Sequence, residues 1–146
     1  MKRIVIVAAL AALGGCASAI GVATRGGSTT IPSTPVNLGD WRNASESATL
    51  SAFQQGVASR YGAGLAVTAV SADLRRNSFN CGAAPRAQNG RGDPPAQVCR
   101  RTLTNGGCTH TWQVHLFDES GSGELARTRG LYDRRCGGDG LLGGPG

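Results

Sequence analysis

The chain has little of what large cores and common catalytic sites are made from. Aromatic residues are 5% of its 146 positions, Met occurs once, and Lys2 is its sole lysine. Beyond residue 16 no apolar run approaches the ~20 residues of a membrane-spanning helix. No serine stands in a Gly-x-Ser-x-Gly context, no two cysteines are spaced Cys-x2-Cys, and no Gly-rich run leads into Lys-Ser/Thr. These absences argue against a nucleophile-elbow hydrolase, a zinc ribbon and a phosphate loop. Gly and Pro together make up about a fifth of the chain, so much of it belongs to turns, tether and tail around one modest domain.

What is present begins with an export signal. Lys2 and Arg3 give a positive start, and Ile4 to Leu13 is an uncharged apolar run of ten residues followed by small ones. Such a run reads as the h-region of a secretory signal peptide, too short to cross a bilayer as a helix. A buried helix of the folded domain would show polar residues along one face, and this run has none before Ser18.

The residues that close the run, Leu13-Gly14-Gly15-Cys16, resemble the lipobox of bacterial lipoproteins. The resemblance covers residues 1–16. It implies a signal peptide over 1–15, cleavage before Cys16, a diacylglycerol thioether on the Cys16 sulfur, and a membrane anchor made of lipid. Two or more buried acyl chains, at roughly 0.8 kcal/mol per CH2, hold a protein stably where one does not. In lipoproteins of enteric type an Asp after the acylated Cys retains the protein at the inner membrane. Ala17 here implies the outer membrane, with the domain facing the periplasm; the inner membrane is the other possibility. Ordinary secretion with cleavage after Ala17 or Ala19 is the competing reading. Cysteine parity favours the lipobox, because setting Cys16 aside leaves Cys81, Cys99, Cys108 and Cys136, an even set that can pair fully in an oxidising compartment.

Residues 16–44 then read as the lipidated Cys and a flexible tether, rich in Ser, Thr, Gly and Pro and without periodic apolar positions. As a random coil, some 28 residues reach roughly 30 Å. Trp41 interrupts the polar run and is expected to dock on the domain, where a large aromatic buries most area.

The first element is expected from Ser45, with Leu50, Phe53, Val57 and Tyr61 on one helical face and Gly62 and Gly64 as the stop. A second helix is expected over Val67 to Arg76, from Val67, Val70 and Leu74. The period then falls to two. Phe79 and Cys81 read as a short strand, residues 82–96 as a Pro-bearing loop, and Val98 to Thr104 and Cys108 to Asp118 as a hairpin about Asn105-Gly106. Glu124 to Cys136 follows as a fourth strand, and 137–146 as a Gly-rich disordered tail. The fold class is α+β: two N-terminal helices packed on a small antiparallel four-stranded meander, residues 45–136, with two disulfides.

Hairpin register constrains the cysteines. If Thr104 opposes Gly107, Leu103 faces Cys108 and Cys99 faces Trp112, so Cys99 and Cys108 cannot bond. An odd loop that sets Leu116 against Thr128 places Trp112 by Tyr132 and Cys108 by Cys136. The expected bridges are Cys108–Cys136 by geometry and Cys81–Cys99 by elimination. Cys99, Cys108, His110 and Cys136 are also zinc-ligand types, but exported thiols oxidise, so no metal or other cofactor is assigned.

Strand alternation sorts the surface. Cys99, Leu103, Cys108, Trp112, Val114, Leu116 and Tyr132 share the face expected under the helices. Arg100, Thr111, Gln113, His115, Phe117, Arg127, Arg129, Leu131 and Arg135 share the other. From Cys16 onward there are 13 Arg and 9 acidic residues. Arginine's planar fork suits carboxylate and phosphate, so Arg100, Arg127, Arg129 and Arg135 are candidates for contact with an acidic envelope protein or an anionic cell-wall or lipid ligand. Export argues against nucleic acid, and Arg91-Gly92-Asp93 is read as an ordinary polar loop.

Two functions fit. One is a non-enzymatic scaffold or adaptor of an envelope assembly; helices preceding a sheet is an order similar, at the level of architecture, to small accessory lipoproteins of the outer-membrane barrel assembly machine. The other is an envelope enzyme or ligand binder using His110 beside Arg134, which would require a concave pocket around that pair. No catalytic residue is assigned from sequence.

Overall fold

The computed structural model describes residues 30–85 and 94–137. Its elements run α1 (Glu46–Arg60), α2 (Val67–Arg76), β1 (Asn80–Ala83), β2 (Gln97–Asn105), β3 (Cys108–Phe117) and β4 (Arg127–Cys136), and the strands form one antiparallel meander in chain order. Both helices precede the sheet, as expected.

The Ser45 hydroxyl accepts the Ala48 N–H at 3.2 Å, which satisfies one of the donors left open at the start of α1, and Glu46 in the first turn complements the helix dipole. Phe53, Val57 and Tyr61 face the core, and Leu50 packs at its edge. The chain extends at Tyr61 and turns at Gly64, whose φ of +88° lies in the region open to glycine. On α2, Val67, Val70 and Leu74 are buried. The core closes between these helices and one sheet face carrying Cys99, Trp112, Val114, Leu116 and Tyr132. Phe53 lies against the sheet at Gly130, where an added Cβ would come within 3.2 Å of the ring.

The β3–β4 register pairs Leu116 with Thr128, Trp112 with Tyr132 and Cys108 with Cys136, and both expected disulfides, Cys81–Cys99 and Cys108–Cys136, are formed. The β2–β3 register differs from expectation. Asn105 pairs with Cys108, Leu103 with His110 and Cys99 with Val114, so the turn is Gly106-Gly107 with φ of +59° and +78°. Both central residues of such a tight turn need positive φ, and two glycines take it without the Cβ penalty that Asn105 would carry. The shift is even, so every side chain keeps its face.

β2 gains Gln97 and Asn105, β3 ends at Phe117 rather than Asp118, and three further boundaries move. β1 starts at Asn80, with Phe79 buried just before it. β4 starts at Arg127, because residues 118–126 are otherwise engaged. The Asp118 carboxylate accepts N–H groups of Ser122 and Gly123, and Leu125 exchanges backbone hydrogen bonds with Gly64 and Leu65.

The third difference is the largest. Residues 31–44, assigned by composition to the flexible tether, lie on the domain as a strap, with Val36 and Trp41 buried. Arg60 donates to the Pro32 carbonyl at 2.8 Å, the Val36 N–H donates to Asn77 Oδ1 at 2.9 Å, and Trp112 Nε1–H donates to the Leu38 carbonyl at 3.1 Å. A strap needs no periodic pattern when the domain supplies its partners one by one. Residues 16–29, the Arg91-Gly92-Asp93 tripeptide and the tail beyond 137 lie outside the described residues.

Candidate functional site

Because both helices pack on one face, the meander displays its other face outward. The alternation of β2, β3 and β4 places Val98, Arg100, Thr102 and Thr104, then Thr109, Thr111, Gln113, His115 and Phe117, then Arg127, Arg129, Leu131, Asp133 and Arg135 on that outer face. The four candidate arginines are all exposed. The structure divides them into two kinds.

Arg127 and Arg135 are engaged locally. Arg127 Nε donates to Glu119 Oε1 at 2.9 Å and its guanidinium sits 3.6 Å from the Phe117 ring centroid, covering an aromatic that is buried despite facing outward. Arg135 Nε donates to Asp133 Oδ2 at 2.9 Å. Both pairs are solvated and contribute little to stability. Arg100 and Arg129 take part in none of the ion pairs among the described residues.

Arg100 stands opposite Gln113, and Arg129 opposite His115. His115 Nε2 lies 3.3 Å from Gln113 Oε1. Partial burial, then Arg129 and Arg100, hold the His115 pKa below its usual 6.5, so two arginines from opposite sides bear on one imidazole. Beside this cluster a hollow of about 300 Å³ is lined by Arg100, Thr109, Thr111, Gln113, Asp133 and Arg135.

The inner face tells against the competing pair. His110 and Arg134 are cross-strand neighbours, as the second hairpin requires. However, His110 is 4% exposed, its Nδ1 lies 2.7 Å from the Tyr132 hydroxyl, and its ring meets Trp41 at 4.8 Å and Trp112 at 6.0 Å. Burial first, and Arg134 second, lower its pKa. The imidazole is a satisfied member of an aromatic cluster. Cys99, Cys108 and Cys136, the sulfur members of the zinc-type set, are disulfide-bonded and offer no thiolate.

Sequence reasoning passed over two features. The acidic partners of Arg127 and Arg135 are one: Asp133 was legible, being two positions from Arg135 on the same face, whereas Glu119 reaches Arg127 through a loop. The other is a buried polar network, in which Asp73 accepts from Arg60 Nε and the Tyr61 hydroxyl, both at 2.8 Å, and from Arg76 at 2.9 Å. No protein-family model, curated protein or solved structure matches the chain.

Proposed function

We propose that the protein is a lipid-anchored lipoprotein of the bacterial envelope, held through Cys16 at the outer membrane and facing the periplasm, where it serves as a non-enzymatic scaffold or adaptor. Its outer sheet face is the surface offered to an anionic partner. The apolar run ending in Leu13-Gly14-Gly15-Cys16 supports the anchor. The two disulfides use the four remaining cysteines, which fits an oxidising compartment and leaves Cys16 as the sulfur for lipid. With the strap docked, residues 17–29 separate the anchor from the domain; at ~3.3–3.6 Å per residue they span at most roughly 45 Å, so the domain works close to the bilayer.

The observation that carries the adaptor reading over the enzyme reading is the state of His110. His110, which the enzyme reading sets beside Arg134, is enclosed by Trp41, Trp112 and Tyr132, while the arginines of the opposite face stand in solvent. Metabolic labelling with a palmitate analogue tests the anchor. The wild-type chain is expected to take label and fractionate with membranes, and Cys16→Ser to take none; membrane attachment of an unlabelled Cys16→Ser chain overturns it. Crosslinking in intact cells followed by mass spectrometry tests the adaptor role, which requires a reproducible envelope partner lost on replacing Arg100 and Arg129.

A further inference from the structure

Arg100, Gln113, His115 and Arg129 form a compact set on three adjacent strands. Gln113 and His115 are successive outward positions of β3, with Arg100 across from the first on β2 and Arg129 across from the second on β4. Strands lie ~4.8 Å apart and successive outward positions roughly 6.7 Å apart, so the two arginine Cα atoms are separated diagonally by roughly 12 Å. That is within the combined reach of two arginine side chains folded toward β3. Neither guanidinium is committed to a carboxylate among the described residues.

We propose that Arg100, His115 and Arg129, with Gln113 between them, form a binding site for a phosphomonoester. The site sharpens the partner surface proposed above and rests on that reading of the outer face, not on the lipid anchor. The charge and the donor count select the ligand. Two guanidiniums and an imidazole, carried at neighbouring outward positions of three adjacent strands, offer more N–H groups than one carboxylate can accept. A terminal phosphate presents three oxygens and close to two negative charges, matching two arginines. Arg100 and Gln113 also line the hollow of about 300 Å³, but its far side carries the Asp133 carboxylate held by Arg135, which repels an anion and leaves the His115 and Arg129 side as the better one.

The imidazole gives the site a proton-linked signature. The charged groups that bear on His115 are Arg100 from β2 and Arg129 from β4; its neighbours on β3, Gln113 and Phe117, are uncharged. A bound dianion offsets the two positive charges, so His115 takes a proton from solvent and donates to a phosphate oxygen. Binding of the dianion therefore raises the His115 titration midpoint, and the gain ends on the acid side where the phosphate itself takes up a proton, at about pH 6 for a monoester.

The chain has two histidines, so its imidazole proton resonances report the site and carry an internal control. The full chain in neutral detergent is titrated with inorganic phosphate and, at matched ionic strength, with acetate. Phosphate is expected to move the His115 resonances and raise the His115 titration midpoint while leaving His110 in place, and acetate to need about tenfold higher concentration for the same displacement. Arg100→Gln with Arg129→Gln abolishes the response; Arg127→Gln with Arg135→Gln, which touches arginines already paired, preserves it. Equal responses to phosphate and acetate, or an unchanged response in the Arg100/Arg129 variant, overturn the site. Short-chain phosphatidic acid distinguishes the sources: tighter binding than inorganic phosphate makes a lipid headgroup the ligand, and equal binding makes it a soluble phosphate. Loss of palmitate labelling would overturn the anchor and leave this titration unaffected.

Discussion

The Arg60 guanidinium meets the Asp73 carboxylate at 2.8 Å, with 7% and 4% of the two side chains exposed. The pair joins the last turn of α1 to α2, and the same guanidinium reaches on to the Pro32 carbonyl of the strap. Replacing a buried pair with well-packed apolar residues can be neutral, but removing one member leaves an uncompensated charge. Asp73→Ala is therefore expected to lower stability by about 3 kcal/mol, read as a shift of the urea midpoint. A loss under about 1 kcal/mol would show that water reaches Arg60 easily.

Acid is expected to weaken the fold in two stages. Burial pushes the Asp73 pKa up, but hydrogen bonds from Arg60, Tyr61 and Arg76 outweigh it and hold the group below its usual 3.8. Its contribution is complete above that value and is lost as pH falls through the still lower folded pKa. His110 and His115 are also held below their usual 6.5, burial being the first cause for both. Their neutral forms stabilise the fold above pH 6.5, and that contribution is lost earlier, as pH drops through the folded values. Stability should fall by up to about 1.4 kcal/mol per pH unit for each histidine over that first stage. His110→Gln and His115→Gln should each flatten the slope of stability against pH, and together remove the first stage. An unaltered slope in the double variant would refute this assignment.

Gly130→Val should destabilise in spite of valine's preference for strands. The new side chain would meet the Phe53 ring at 3.2–3.3 Å, and overpacking of this kind costs about 1–3 kcal/mol. Phe53→Leu in the same chain should recover part of the loss. A thermal denaturation cycle over the two single variants and the double measures the coupling, and simple additivity would rule out the clash.

The disulfides are expected to contribute comparably. They close loops of 18 and 28 residues, for which chain entropy gives about 3 and 3.5 kcal/mol. Cys81→Ala with Cys99→Ala, and Cys108→Ala with Cys136→Ala, should each lower the urea midpoint accordingly while retaining the far-ultraviolet dichroism of the wild type. Near-wild-type midpoints would mean that the sheet register alone holds these positions.

The two helices were legible because their apolar residues recur at helical spacing: Leu50, Phe53 and Val57 on α1, with Tyr61 continuing the pattern at its C-terminal cap, and Val67, Val70 and Leu74 on α2. The second hairpin was legible because one pairing, Leu116 with Thr128, fixes Cys108 opposite Cys136. The first was misplaced by two residues, because Asn105-Gly106 and Gly106-Gly107 are both good turn dipeptides. The choice between them depends on which residue can take positive φ at least cost. Even so, strand alternation placed all four candidate arginines on the correct face.

By itself, the sequence determined the element order, the faces of the sheet and the pairing of four cysteines. These follow from periodicity and chain geometry over short distances. Only the tertiary structure decided that residues 31–44 clasp the domain, that Asp73 gathers Arg60, Tyr61 and Arg76, and that among the described residues Arg127 and Arg135 meet carboxylates while Arg100 and Arg129 do not. Each of those outcomes depends on partners far apart in the chain or brought round by a loop. Hydrogen bonds and ion pairs of that kind leave no repeating mark in the order of residues, because burial and distance, set by the folded chain, choose which donor meets which acceptor.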